Sequence, residues 1–189
     1  MTSFVLHLLR HGAPEITGRL IGRTDVAPTL DGVRACREQA RDLGIEAVIG
    51  SDLARARVAA EVIGGDLALP VTIDPRWREL DFGAWDGLAT SVIDPVALGH
   101  FWDDPDAAPP PDGERWSALV TRVAEAIADL PPRTTLVVTH GGAMRAVLAA
   151  LCWFDQRQLW AVDLPYAAML GLKVWPGTPR TAQIMALWP

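Results

Sequence analysis

The chain opens on an apolar run, Phe4–Arg10 (FVLHLLR), that stops at His11-Gly12. A short continuous run of this kind predicts a strand buried on both faces. The period then changes. Beyond Thr29, apolar residues recur at Val33, Cys36, Ala40 and Leu43, the spacing of one helix face. Thr29 reads as the N-cap and Gly44 as the stop, so a helix is predicted over Leu30–Leu43. Ala47–Ser51 predicts a second strand. Leu53–Ile63 predicts a second helix, stopped by Gly64-Gly65, and Val71–Ile73 a third strand after Pro70.

From Arg76 to Gly113 the periodicity fades. This stretch carries Trp77, Trp85 and Trp102 and the polar run DDPDAAPPPDG, and reads as an irregular excursion over the top of the domain. Regular patterning returns with a helix over Arg115–Leu130, stopped by Pro131-Pro132. A strand over Thr135–Thr139 (TLVVT), a helix over Ala143–Leu151, and two closing strands, Met169–Trp175 and Gln183–Leu187, complete the chain. Alternating strands and helices predict a three-layer α/β/α sandwich around a largely parallel sheet of about six strands. With no internal repeat and no dividing linker, one domain is expected over residues 1–189, with its excursion at about 76–113.

Composition narrows the class. Half of the 189 residues are hydrophobic, 21% are charged and the mean hydropathy is +0.17, which excludes a mostly disordered chain. No apolar run reaches a membrane span, and the N-terminus lacks a basic region and a cleavage site, so no membrane partner and a cytoplasmic location are expected. Two cysteines, Cys36 and Cys152, are too few for a disulfide framework or a zinc site. The net charge of -6 argues against nucleic-acid binding through bulk charge. Any anion must be held by a local cluster. Lys173 is the only lysine, so an arginine signals function here only where its position is special.

Ligands of open α/β sheets bind beyond the carboxyl ends of the strands. The first strand ends in Arg10-His11-Gly12 and the fourth in His140-Gly141-Gly142. Glycine lets backbone approach a ligand closely, and the helix that starts after Gly142 offers free N–H groups to an anion. His7, inside the first strand, reads as a packed core residue, and His100 as a surface one.

LLRHG at the first strand, SDLARA after the second, ELDFGAWDG after the third and VVTHGG at the fourth together resemble the histidine phosphatase, or phosphoglycerate-mutase-like, superfamily. The resemblance implies that fold and runs from residue 4 to about 150. It implies that His11 is a nucleophile that becomes transiently phosphorylated. Arg10, Arg55, His140 and the helix start at Gly141 would surround the phosphoryl oxygens, and Glu79 would protonate the leaving oxygen. Asp81, two residues on, is the other candidate acid and otherwise a partner for an arginine such as Arg78. Phosphoryl transfer is catalysed mainly by positioning and charge stabilisation. Guanidiniums suit phosphoryl oxygens, and neighbouring arginines keep a histidine ring neutral and nucleophilic. Its second ring nitrogen then needs a fixed acceptor, and a carbonyl near Gly12 is expected. No metal or other cofactor is called for.

The short RHG loop followed by GRLIGRTD, with ELDFGAWDG and FWDDP, resembles the α-ribazole phosphatase branch, which acts in cobalamin biosynthesis. Ala13, Ala59 and Arg115 depart from the family pattern, and the usual Trp-Asn pair after RHG is missing. The implied function is hydrolysis of a small-molecule phosphomonoester, with α-ribazole 5′-phosphate as one candidate. The alternatives are a phosphoglycerate mutase-type transferase, for whose lid there is little room, and a non-catalytic phosphate-binding module. A dinucleotide enzyme is disfavoured because THGGAMR lacks GxGxxG spacing. Arg19, Gly22, Arg23 and Trp85 are the candidate substrate-loop residues. Trp77, Trp85, Trp102 and Trp116 either stack on the leaving group or pack in the core and lid. The apolar stretch over 166–189 is a candidate homodimer surface.

Overall fold

The computed structural model describes residues 2–189. Its strands are β1 (Phe4–Arg10), β2 (Ala47–Gly50), β3 (Val71–Ile73), β4 (Thr135–Thr139), β5 (Met169–Trp175) and β6 (Thr181–Trp188). They form one sheet in the order β3-β2-β4-β1-β5-β6. β1, β2, β3 and β4 run parallel, whereas β5 and β6 join antiparallel at one side. The largely parallel six-stranded sheet is therefore as the sequence predicts.

Alternation along β1 and β4 builds the two sides of the sheet. Leu6, Leu8 and Val137 face one hydrophobic core, and Leu9, Leu136 and Val138 face the other. The helices divide accordingly. α1 (Leu30–Gln39) and α2 (Ala54–Leu67) cover the smaller core through Cys36, Ala56, Ala60 and Ile63. α4 (Trp116–Ala128) and α5 (Gly141–Cys152) cover the larger one through Leu119, Val123, Met144 and Leu148. Each such fully buried aliphatic side chain contributes about 1.5–3 kcal/mol. The remaining helices are α3 (Pro95–Asp103) and α6 (Gln156–Trp160).

Several boundaries differ from the sequence reading. α1 is capped by Thr29, whose hydroxyl accepts from Gly32 N–H, but it ends at Gln39 rather than Leu43. α2 runs straight through Gly64-Gly65 and ends at Ala68 in a left-handed conformation. Gly64 there serves close packing: a Cβ on it would meet the Val71 side chain at 2.3 Å. The excursion over 76–113 is more ordered than its composition suggests. It holds α3 and short 3-10 turns at Pro75–Trp77, Gly83–Trp85 and Thr90–Val92. α3 starts on Asp94, which caps Val96 and Ala97, followed by Pro95. α6 starts on a capping box between Asp155 and Gln158.

At the top of the sheet the loop after β1 is pressed against the start of α1. A Cβ on Gly12 would sit 2.0 Å from the Gly32 carbonyl oxygen. Gly12→Ala is therefore expected to destabilise the fold by roughly 1–3 kcal/mol. Gly65→Ala adds its methyl to open space in a helix interior and is expected to stabilise by roughly 0.5–1 kcal/mol. Urea midpoints of opposite sign at constant m check both.

Candidate active site

The register of two strands sets the site. Arg10 of β1 pairs with Thr139 of β4, and His11 N–H continues the ladder to the Thr139 carbonyl at 2.8 Å. The next residues, His11 and His140, therefore leave the sheet side by side, with ring centroids 5.1 Å apart. His11 Nδ1 lies 2.8 Å from the Gly12 carbonyl. A carbonyl only accepts, so Nδ1 carries the proton and Nε2 keeps its lone pair.

Cations gather around this ring. Arg10 donates through Nη1 to the Leu164 carbonyl, and its guanidinium lies 4.4 Å over the Tyr166 ring. Arg55, in the first turn of α2, is 1% exposed. It donates to the carbonyls of Thr24 at 2.9 Å, Ile21 at 3.1 Å and Gly22 at 2.8 Å. His140 Nε2 lies 2.9 Å from the Ser51 hydroxyl. Arg10 Nε, Arg55 Nε and His140 Nδ1 are buried and have no partner in the protein. Buried polar atoms are nearly always paired. Three such nitrogens beside one histidine are what a multi-oxygen anion would satisfy. A cleft of about 140 Å³ lined by Arg10, His11, Arg19, Arg55, Glu79 and Tyr166 opens beside those two arginines and His11, with His140 buried behind His11.

Glu79 faces the same cleft from the excursion. Its Oε1 accepts from Leu80 N–H at 2.8 Å and its Oε2 from Gly142 N–H at 3.1 Å, in the first turn of α5. α5 starts at Gly141, two residues before the predicted Ala143, and this brings that N–H within reach. A Cβ on Gly142 would lie 2.1 Å from Glu79 Oε1, so a side chain there would push the carboxylate from its place. Arg122 of α4 fixes the main chain beneath it, donating to the carbonyls of Arg76, Arg78 and Glu79 while pairing with Glu114.

The substrate-loop candidates divide. Arg19 lines the cleft and donates to the Gly87 carbonyl. Gly22 sits in the loop that Arg55 holds. Its bareness is needed because a Cβ would meet the Leu80 carbonyl at 2.4 Å. Arg23 instead pairs with Asp81 at 3.4 Å, outside the cleft lining. Trp85 is buried against Phe101 at 5.7 Å and lines neither the cleft nor its neighbour. Trp77 is wholly buried as well. Asp81 is the partner of an arginine, as expected, but that arginine is Arg23, while Arg78 pairs with Asp52. Three residues went unnoticed in the sequence. Asp86 accepts from Gly22, Arg23 and Thr24 N–H. Tyr166 packs on Arg10 and 5.5 Å from His11. Ser51 meets His140. Only Ser51 and Asp86 carried a signal, as members of SDLARA and ELDFGAWDG. Of the departures, Ala13 gives its carbonyl to Thr29, Ala59 is core, and Arg115 stands at the N-cap position of α4 with no side-chain cap bond and donates instead to the Asp106 carbonyl.

Burial, reinforced by Arg55 and Arg10, holds His11 down at about 3, against the opposing pull of the Gly12 carbonyl. Burial likewise holds His140 well below its ordinary value, with Arg55, His11 and Arg10 adding to it. Both rings are neutral bases at neutral pH. Arg55 is lowered by burial and supported by Glu79, Asp25 and Asp86. Among the described residues no group of three or more His, Cys, Asp or Glu side chains is arranged to hold a metal ion. A histidine held neutral in the fold lets the unfolded chain bind the extra proton. The stability it supports is thus complete above about pH 6.5 and is lost as pH falls toward 3. Urea titrations are expected to show a loss of up to about 1.4 kcal/mol per pH unit from this one group. The slope should be shallower in His11→Asn, which takes up no proton.

The chain and its fold resemble known proteins. The model of the Histidine phosphatase superfamily (branch 1) matches residues 6–185. A probable phosphoglycerate mutase of Enterobacter sp. (strain 638) is 31% identical over 167 residues, covering 77% of this chain and 74% of that protein. A glucosyl-3-phosphoglycerate phosphatase of Mycobacterium tuberculosis (strain ATCC 25618 / H37Rv) is 32% identical over 165 residues, with the same 77% and 74% coverage. The native structure of a mycobacterial glucosyl-3-phosphoglycerate phosphatase superposes with a TM-score of 0.85 at 26% identity, covering 96% of this chain and 97% of that one. Matched along nearly its whole length, the chain belongs to the histidine phosphatase superfamily.

Proposed function

We propose that the chain is a phosphomonoester hydrolase that works through a phosphohistidine at residue 11. The observation that carries this reading is the convergence of three unpartnered buried nitrogens, of Arg10, Arg55 and His140, beside a histidine with a free Nε2. The phosphoryl oxygens take those donors. The Ser51 hydroxyl beside His140 Nε2 is able to donate to it, and the tautomer that goes with this bond carries its proton on Nδ1, toward the anion.

In the first step the lone pair of His11 Nε2 forms a bond to phosphorus, and the bond from phosphorus to the ester oxygen breaks. The departing oxygen takes the proton of the Glu79 carboxylic acid and leaves as an alcohol. In the second step a water gives a proton back to the Glu79 carboxylate while its oxygen bonds to phosphorus. The N–P bond breaks, its electron pair returns to Nε2, and inorganic phosphate is released. The fixed guanidiniums stabilise charge spread over the equatorial oxygens in both transition states. No metal enters either step.

Hydrolysis of para-nitrophenyl phosphate in EDTA is expected for the wild type, and His11→Ala should lower it by at least about 10³-fold. Acid-quenched enzyme should carry label from a radioactive ester on residue 11. Glu79→Gln should slow alkyl phosphates by roughly 10²–10⁴-fold and para-nitrophenyl phosphate far less, since nitrophenolate leaves without a proton. Binding without turnover would identify a phosphate-binding module instead. The substrate screen includes α-ribazole 5′-phosphate, to which the sequence branch points, and glucosyl-3-phosphoglycerate. It also includes 3-phosphoglycerate, whose conversion to 2-phosphoglycerate would identify a mutase.

A further inference from the structure

Beyond Glu79 the cleft continues into a second cavity, also of about 140 Å³. The two share Arg10, Glu79 and Phe82 and are otherwise opposite in character. The first is ringed by cations and histidine. The second is walled by Phe101 and Trp102 of α3, Trp116 at the start of α4 and Trp160 of α6. The Trp102 and Trp160 rings meet edge to face at 5.1 Å, yet remain 37% and 44% exposed. The Gln156 side-chain amide donates to the Trp102 carbonyl at 3.3 Å and so joins α6 to α3 over the cavity.

One further cation, Arg145, borders this cavity, and it is already engaged. Its guanidinium donates to the carbonyls of Leu159, Gly141 and Val162 and lies 4.8 Å over the Trp160 ring. The only carboxylate in the lining is Glu79. A polyhydroxy or glyceric-acid group placed here would lose its water and find few partners. An apolar ring would cover aromatic faces that are otherwise wet.

We infer that the alcohol portion of the substrate is a ring-bearing, largely apolar group, aromatic or alicyclic, that occupies this second cavity. The inference rests on the hydrolase reading above, which puts the phosphoryl group among Arg10, Arg55 and His140. With the phosphoryl group there, the ester oxygen falls beside Glu79 at the junction and the organic group passes to the aromatic side. Trp102, Trp116 and Trp160 are then specificity residues, and α3 and α6 exist in the site to carry two of them.

Two measurements test this. In the first, kcat/KM for cyclohexylmethyl phosphate is compared with that for glycerol 1-phosphate, both esters of primary alcohols. A preference of about tenfold or more for the ring is expected. Trp160→Ala and Trp102→Ala should each lower that ratio several-fold, whereas Trp160→Phe, which keeps a ring in the wall, should retain it. A purely structural role for these tryptophans would lower both substrates together and leave the ratio unchanged, and that result overturns the assignment. In the second, binding of 2-phenylethylphosphonate and methylphosphonate to the wild type is compared by calorimetry, which needs no turnover. The ring compound should bind about tenfold more tightly or better. Equal or undetectable binding of both overturns the inference. If esters are hydrolysed in a His11-dependent way with a ratio within about twofold, the cavity assignment fails and the hydrolase reading stands. If the ring phosphonate is preferred but no ester turns over, the hydrolase reading fails alone.

Discussion

The parallel pairing of β1 with β4 is the constraint on which the molecule depends. Both strands are buried on their two faces, so each register position is fixed by packing above and below. A slip of one residue would turn Leu8 and Leu9 to the wrong cores. It would also move His11 away from His140, since both follow directly on the Arg10–Thr139 pair. The Thr139 hydroxyl, donating to the Trp77 carbonyl at 2.7 Å, ties the same strand end to the segment that carries Glu79. Core packing and site geometry are thus one requirement, met at the same few residues.

That geometry concentrates positive charge and donors where little compensates them. Arg55 is the extreme case, a guanidinium removed from water at the start of a helix whose own N–H groups repel it. Its cost is offset by three carbonyls of the loop at Ile21–Thr24, and the N–H groups of that loop are in turn held by the Asp86 carboxylate. The loop is therefore gripped on its two polar edges by opposite charges, with its peptide dipoles aligned between them. Arg122 does the equivalent for Glu79, engaging the carbonyls beneath it. Arg10 Nε, Arg55 Nε and His140 Nδ1 are left without partners in the protein, and on the proposed function that is the preorganisation phosphoryl transfer needs.

What was legible in the sequence follows from how local its cause is. Apolar runs marked β1 and β4, and the Arg-His-Gly and His-Gly-Gly that end them marked the chemistry, because strand ends and site coincide in this architecture. The Arg55 assignment came from the SDLARA resemblance. Helical spacing alone would have left it on a surface face, like Arg57, which pairs with Glu61. The glycine pair in α2 misled because glycine serves close approach as well as helix ending, and only the distance to Val71 separates the two. α3 and α6 were written in Asp-Pro and in a capping box, but prolines and short length hid them. Charge partners distant in sequence were not legible by name. Asp52, Asp81, Asp86 and Glu114 are equivalent in composition, and the fold alone decides which arginine each meets.

The two halves of the cleft come from different kinds of structure. The phosphoryl side is made by the ends of β1 and β4 and the first turn of α2, all rooted in the two cores. The far side is made by the excursion, the short α6 and the start of α4, whose aromatic rings meet edge to face. Glu79 belongs to the second group by sequence but lines both cavities, and two hydrogen bonds from Leu80 and Gly142 hold it at the boundary. A substitution among the tryptophans can therefore reshape the far wall without disturbing the register of the strands. A substitution at Gly142 acts instead on the boundary itself, because a Cβ there would lie 2.1 Å from the Glu79 carboxylate. On the proposed reading, the chemistry is bound to the sheet and the choice of alcohol to the segments laid over it, which is how one scaffold can keep a single reaction while its substrates change.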